Sequence, residues 1–163
     1  KDLTISYDCD YYSTPVGEMN VVKKMKEVNA VVGGEGGGGI IYPDLHYGRD
    51  ALVGIALFLS LLVRKGTSVS NLKENYPRYY MKKLKMSLDN SRLIDQVFEK
   101  IINKYSDLSP NTEDGVRIDF DNGWVHMRKS NTEPIVRIFS ESDSQSKADK
   151  IALEIKNEIN SLI

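Results

Sequence analysis

Arg128-Lys-Ser-Asn-Thr-Glu-Pro-Ile-Val-Arg137 brings two guanidinium groups, two hydroxyls and an amide into ten residues. The stretch reads as the end of one strand, a tight polar loop and the start of the next. A phosphate monoester carries up to two negative charges and several acceptor oxygens. Guanidinium forks, hydroxyls and turn amides are the groups that match it. Pro134 fixes its own φ and pushes Glu133 out of the helical region, which holds the loop. The same composition also suits an ordinary hairpin loop with solvated arginines, since Ser, Asn, Thr and Pro are common turn residues.

A second stretch, Val32-Gly-Gly-Glu-Gly-Gly-Gly-Gly-Ile40, sets six glycines around one carboxylate, Glu35. Each glycine costs roughly 1 kcal/mol against alanine, and in return lets the backbone come close to a ligand. The composition is not that of a linker, because it lies between apolar runs. It is not a phosphate-cradling P-loop either, since no Lys-Ser or Lys-Thr follows. A carboxylate that accepts hydrogen bonds from two adjacent hydroxyls, beside bare backbone, suits a sugar ring.

The first motif resembles the phosphate-binding loop R-P-S-G-T-E-P-x-x-R of the α-D-phosphohexomutases, with Lys129 and Asn131 in place of the proline and glycine. The second is similar to that family's sugar-binding loop, G-E-x-[SN]-G-[HG]. Thr14-Pro15-Val16-Gly17-Glu18 is the third match. The three stand in family order, and the resemblance covers essentially the whole chain. Within the family, the run from Tyr42 to Asp50 is most similar to phosphoglucosamine mutases of the bacteroidete and archaeal type. The resemblance implies an α/β partial third domain over 1–78, followed over 79–163 by an α+β TATA-box-binding-protein-like domain with two helices on one face of an antiparallel sheet. It implies sugar binding by Glu35, Gly34, Gly36, Gly37 and Gly17, and phosphate binding by Arg128, Ser130, Asn131, Thr132 and Arg137. Two departures bear on substrate identity: Gly37 stands where members often have Ser or Asn, and Gly39 where many have His.

The implied activity is that of an isomerase acting by intramolecular phosphotransfer. It interconverts hexosamine 6-phosphate and 1-phosphate through a phosphoserine enzyme and a hexose bisphosphate. No T-x-S-H-N or D-G-D-x-D-R occurs here. The chain is therefore expected to be a C-terminal fragment, inactive alone and without catalytic residues. Its partners would be the phosphosugar and the N-terminal domains of the same enzyme, which would hold the phosphoserine and Mg2+. Phosphomannomutase or phosphoglucomutase activity, or a non-catalytic phosphosugar-binding module, are the alternatives.

Composition sets the frame. The 163 residues are 40% hydrophobic and 28% charged, as in a globular chain of one or two domains. A net charge of -1 gives no global field toward nucleic acid or membrane. One cysteine, Cys9, excludes an internal disulfide framework and fits a cytoplasmic setting. The apolar run from Ala51 to Val63 is too short for a bilayer, which needs roughly 20 residues, and is expected to be a buried core helix.

The elements that must position these motifs follow from spacing. Residues 1–7 read as a helix end, 8–13 as a short strand, and 18–28 as a helix with Val21, Val22, Met25 and Val28 inward. Residues 30–32 are expected as a buried strand, and 43–48 as a loop carrying His46. Asp50 is expected to cap a helix over 51–64 ended by Gly66, and Ser70 a short helix through Asn75. A strand over 83–88, a helix over 89–105, strands over 116–120, 124–128 and 135–140, and a helix over 144–162 complete the reading. Asn122-Gly123 signals a type I′ hairpin. Pairing across it puts Val116, Ile118, Phe120, Val125 and Met127 on one face, and Arg117, Asp119, Trp124, His126 and Arg128 on the other.

Overall fold

Helical spacing and glycine-rich punctuation shape the first half of the chain, and period-two alternation shapes the second. The computed structural model describes residues 2–87, 91–130 and 133–163, with 91 and 92 given by their backbone alone. It divides into two units, Lys1–Pro77 and Arg78–Ile163.

In the first unit, α1 (Asp2–Ser6) ends where the Cys9 N–H donates to the Thr4 carbonyl at 2.8 Å. Residues 9–15 then run without strand pairing, contrary to the expected strand over 8–13. Tyr11 and Tyr12 are exposed. Helix α2 (Glu18–Val28) buries Val22 and Met25, and Asn29 closes it in the left-handed conformation. A three-stranded antiparallel sheet follows: β1 (Gly33–Gly34), β2 (Ile40–Tyr42) and β3 (His46–Arg49). Two expectations fail here. Val31 is 79% exposed and lies outside β1, because the register Gly34↔Ile40 starts pairing at the glycines. His46 begins a strand rather than sitting in a loop.

Asp50 caps α3 (Ala51–Lys65), accepting the Val53 N–H at 2.9 Å, and Gly66 closes it at φ 56. The expectation of a buried core helix is overturned. No residue of α3 is buried, and Leu52 and Val63 are 79% and 81% exposed. Among the described residues, α3 has only strands of two to four residues beside it. Its close approach is at Gly54, where a Cβ would stand 3.1 Å from Ile40 Cγ1. Helix α4 (Val69–Glu74) is capped by Ser68, not Ser70; the Ser68 hydroxyl accepts the Asn71 N–H.

The second unit is a four-stranded antiparallel sheet with helices on one face. Its strands are β4 (Tyr80–Ser87), β5 (Val116–Phe120), β6 (Gly123–Lys129) and β7 (Ile135–Ser142), in spatial order β4-β7-β6-β5. Helix α5 (Ser91–Lys104) lies between β4 and β5 in sequence, and α6 (Gln145–Leu162) ends the chain, capped by Ser144. The expected ends at Leu88 and Asp89 fall outside the described residues. Ile94, Val97, Phe98 and Ile101 of α5 meet Val116, Ile118, Val125, Met127, Val136 and Ile138 of the sheet and Ile155 and Ile159 of α6. These are the faces the alternation predicts.

The hairpin turn differs from the expected one. Phe120 pairs with Gly123, so Asp121 and Asn122 form the turn. Neither they nor Gly123 has positive φ, and a type I′ turn needs it at both central residues. Gly123 is glycine for space instead: a Cβ there would stand 2.3 Å from the Glu141 carbonyl on β7. Because the slip keeps the alternation in step, the residues stay on their expected faces.

Candidate functional site

The carboxylate of the glycine-rich stretch sits at a hairpin tip. The Gly38 N–H donates to the Glu35 carbonyl at 2.9 Å, and the Glu35 N–H to the Gly39 carbonyl at 3.0 Å, so residues 35–38 make a tight turn between β1 and β2. A Cβ at Gly36 or Gly37 would meet nothing within 4 Å. Protein packing therefore does not demand glycine at either position. Gly34 differs, with the Gly39 carbonyl 2.5 Å from where its Cβ would be. Gly17 is the N-cap of α2, at φ 127.

Arg49, at the end of β3, ties these pieces together. Its Nε donates to Glu18 Oε2 at 2.8 Å, its backbone N–H reaches Glu18 Oε1 at 3.2 Å, and its Nη1 lies 3.5 Å from Glu35 Oε2. The guanidinium thus spans the first turn of α2 and the glycine hairpin. Gly39 is what admits it, because a Cβ there would stand 2.5 Å from Arg49 Cδ. The sequence reading did not single out Arg49. Its signal was present: two glycine-preceded acids, Glu18 and Glu35, and a lone arginine between Lys26 and Arg64. Next to it, His46 Nε2 lies 3.2 Å from Asp50 Oδ2. The Val53 amide first, and then the His46 ring, hold the Asp50 carboxyl below the ordinary aspartate range.

In the second unit, Arg128 of β6 and Arg137 of β7 are direct cross-strand partners on the sheet face opposite the helices. Arg137 Nη2 donates to Ser130 Oγ at 3.3 Å and to Glu133 Oε2 at 3.2 Å. Its Nε is buried and has no acceptor among the described residues. Arg128 Nη1 stands 3.8 Å from Asp114 Oδ2. Two more bonds hold the loop base: Ser130 N–H to the Ile135 carbonyl and Ile135 N–H to the Glu133 carbonyl. Arg128, Ser130 and Arg137 are thus brought together at one sheet end; Asn131 and Thr132 lie outside the described residues. Like charges placed directly opposite are destabilising, and here each arginine has a carboxylate beside it, Asp114 for Arg128 and Glu133 for Arg137.

Lys129 points to the other face and pairs with Asp95 of α5, fastening the loop entry to the helix layer. With Arg128 it borders a cleft of about 450 Å³, whose walls also carry Asp95, Glu99 and Asp114. Three carboxylates make that cleft a poor place for a phosphate. Among the described residues no three His, Cys, Asp or Glu gather as metal ligands would, and no helix is long and apolar enough to cross a membrane.

Residues 1–79 match the family model for phosphoglucomutase/phosphomannomutase alpha/beta/alpha domain III, and residues 82–158 that for the C-terminal domain of the same family. A phosphoglucosamine/phosphogalactosamine mutase of Sulfurisphaera tokodaii is 36% identical over 88% of this chain and 32% of its own length. A phosphoglucomutase/phosphomannomutase of Thermococcus kodakarensis is 38% identical over 83% of this chain and 30% of its own. A crystal structure of a phosphoglucomutase/phosphomannomutase family protein from Burkholderia thailandensis superposes with a TM-score of 0.72 at 26% identity, over 90% of this chain and 31% of that one. The chain thus spans about a third of the length of the curated relatives it matches.

Proposed function

We propose, from the premise that this chain belongs to the phosphoglucomutase/phosphomannomutase family, that it supplies substrate binding to a phosphoglucosamine mutase. Arg128, Ser130, Asn131, Thr132 and Arg137 hold the phosphate that is not being transferred. Glu35, with Gly34, Gly36, Gly37 and Gly17, receives the sugar hydroxyls. The observation that carries this reading is the pair of arginines in register on one sheet face, with Ser130 under one guanidinium. The residues of this chain anchor and orient; they do not exchange the phosphoryl group. A phosphoserine outside this chain gives its phosphoryl group to the sugar, the hexose bisphosphate turns over, and the serine takes back the other. Magnesium, also held outside these residues, supplies positive charge at the transferring group. Anchors that accept either phosphate of the turned substrate serve both half-reactions. The single exposed cysteine, Cys9, fits a cytoplasmic setting.

A phosphomannomutase or phosphoglucomutase reading keeps the same roles. It is favoured by the 38% identity to the Thermococcus kodakarensis protein. The test is turnover of glucosamine-, glucose- and mannose-phosphates by this chain joined to the upstream domains its relatives carry, and by this chain alone. Turnover is expected only in the joined form, fastest on glucosamine phosphate. Arg128→Ala and Arg137→Ala should each raise KM about tenfold or more, the scale of a lost charge-assisted hydrogen bond. Unchanged KM in both variants would remove the phosphate role; turnover by this chain alone would remove the anchoring-only role.

A further inference from the structure

The arginine pair is part of a longer row. Arg137 of β7 faces Arg128 of β6 on one side and Lys85 of β4 on the other. Adjacent strands are about 4.8 Å apart, so three cations line up over roughly 10 Å across three strands. The burial alternation of β4 sends Lys85 to the open face with both arginines, while Leu84 and Met86 turn toward the helices. Two carboxylates stand against the three cations: Asp114 beside Arg128 and Glu133 beside Arg137. Lys85 makes no ion pair among the described residues. Other cations on the same face are engaged otherwise: Lys83 of β4 lies over the Phe139 ring at 5.9 Å, and Arg117, on the far edge strand β5, stacks on Trp124 at 4.5 Å and pairs with Asp119.

We infer that Lys85 is a third phosphate-binding residue, completing an Arg128–Arg137–Lys85 row that takes the dianionic form of a phosphate monoester. The inference rests on the proposed phosphate site and extends it. Two planar forks give directed hydrogen bonds, while a lysine on a flexible four-carbon stem adds a mobile point charge. Both like-charge contacts in the row are relieved together when a dianion settles over Arg137, whose buried Nε has no acceptor among the described residues. Edge strands carry lysines simply to discourage sheet-to-sheet pairing, and β4 is an edge. That role would apply equally to Lys83, two residues earlier on the same face, which makes Lys83 the control.

The experiment is a titration of this chain with inorganic phosphate and with glucosamine 6-phosphate. Arginine Nε–H and lysine Nζ signals are followed by NMR, at pH values either side of the second phosphate ionisation. Signals of Arg128, Arg137 and Lys85 are expected to move together, and more for the dianion. Lys85→Gln is expected to weaken binding about fivefold, the upper range for a solvent-exposed ion pair, and to flatten the salt dependence. Lys85→Arg should restore affinity, and Lys83→Gln should change it less than about twofold. If the arginines respond while Lys85 does not, and Lys85→Gln binds like the parent, the inference is overturned and the phosphate site stands. If neither arginine responds, the phosphate site itself falls and the inference with it.

Discussion

Arg49 illustrates how one residue turns a loop composition into a site. Glu35 on a glycine hairpin would be held weakly by its own backbone. The guanidinium of Arg49 fixes that carboxylate relative to Glu18, and Gly39 leaves space for its stem. Gly39→Ala should force Arg49 Cδ aside. The contact is with a flexible side chain, so stability should change by less than about 0.5 kcal/mol, as at ordinary surface sites. Hexosamine-phosphate affinity should fall measurably, and to a similar degree as in Arg49→Met. Urea denaturation and calorimetric titration of both variants check this; a large stability loss with unchanged affinity would make Arg49 purely structural.

At the scale of elements, the ends of α3 were readable and its surroundings were not. Asp50 as the cap of α3 and Gly66 as its stop follow from residue type and position, whereas the caps of α4 and α6 fall on Ser68 and Ser144 rather than where the spacing puts them. Their chemistry also sets a pH dependence. The folded pKa of Asp50 is depressed, chiefly by the Val53 amide. Its contribution is therefore fully present above the unfolded aspartate value of about 3.9, and is lost as pH falls through the lower folded value. Carboxyl chemical shifts should place its midpoint below that of ordinary aspartates, with the Val53 amide signal moving at the same pH. The burial expected for α3 from its hydropathy, by contrast, is not met among the described residues. An apolar sequence says that a helix needs cover, while the cover depends on which other elements are long enough to provide it. Likewise the Asn122-Gly123 pair gave a correct hairpin and the wrong turn, because crowding by Glu141 on β7, not backbone conformation, calls for Gly123.

At the scale of the whole molecule the two units are unequal. The second has four strands and two helices around a continuous core, whereas the first buries Val22, Met25 and Ile41 together and leaves α3 uncovered. Burial of apolar area is the main stabilising term, so local opening should be cheaper in the first unit. Hydrogen exchange is expected to leave Ile101, Val125 and Ile138 amides protected longest, while amides of α3 and of β1 to β3 exchange far sooner. Equal protection in the two units would contradict this ranking.

Residue order alone determined the alternating faces of the second unit, the cap and stop of α3, and the two chemical signatures, two arginines about a Ser-Asn-Thr loop and one acid among glycines. These are local properties, carried by side-chain type and by periods of two and 3.6. Tertiary structure alone decided that Arg128, Arg137 and Lys85 share a row, and that Arg49 reaches both Glu18 and Glu35. Each of those depends on strand register, which is set by contacts between residues far apart in the chain.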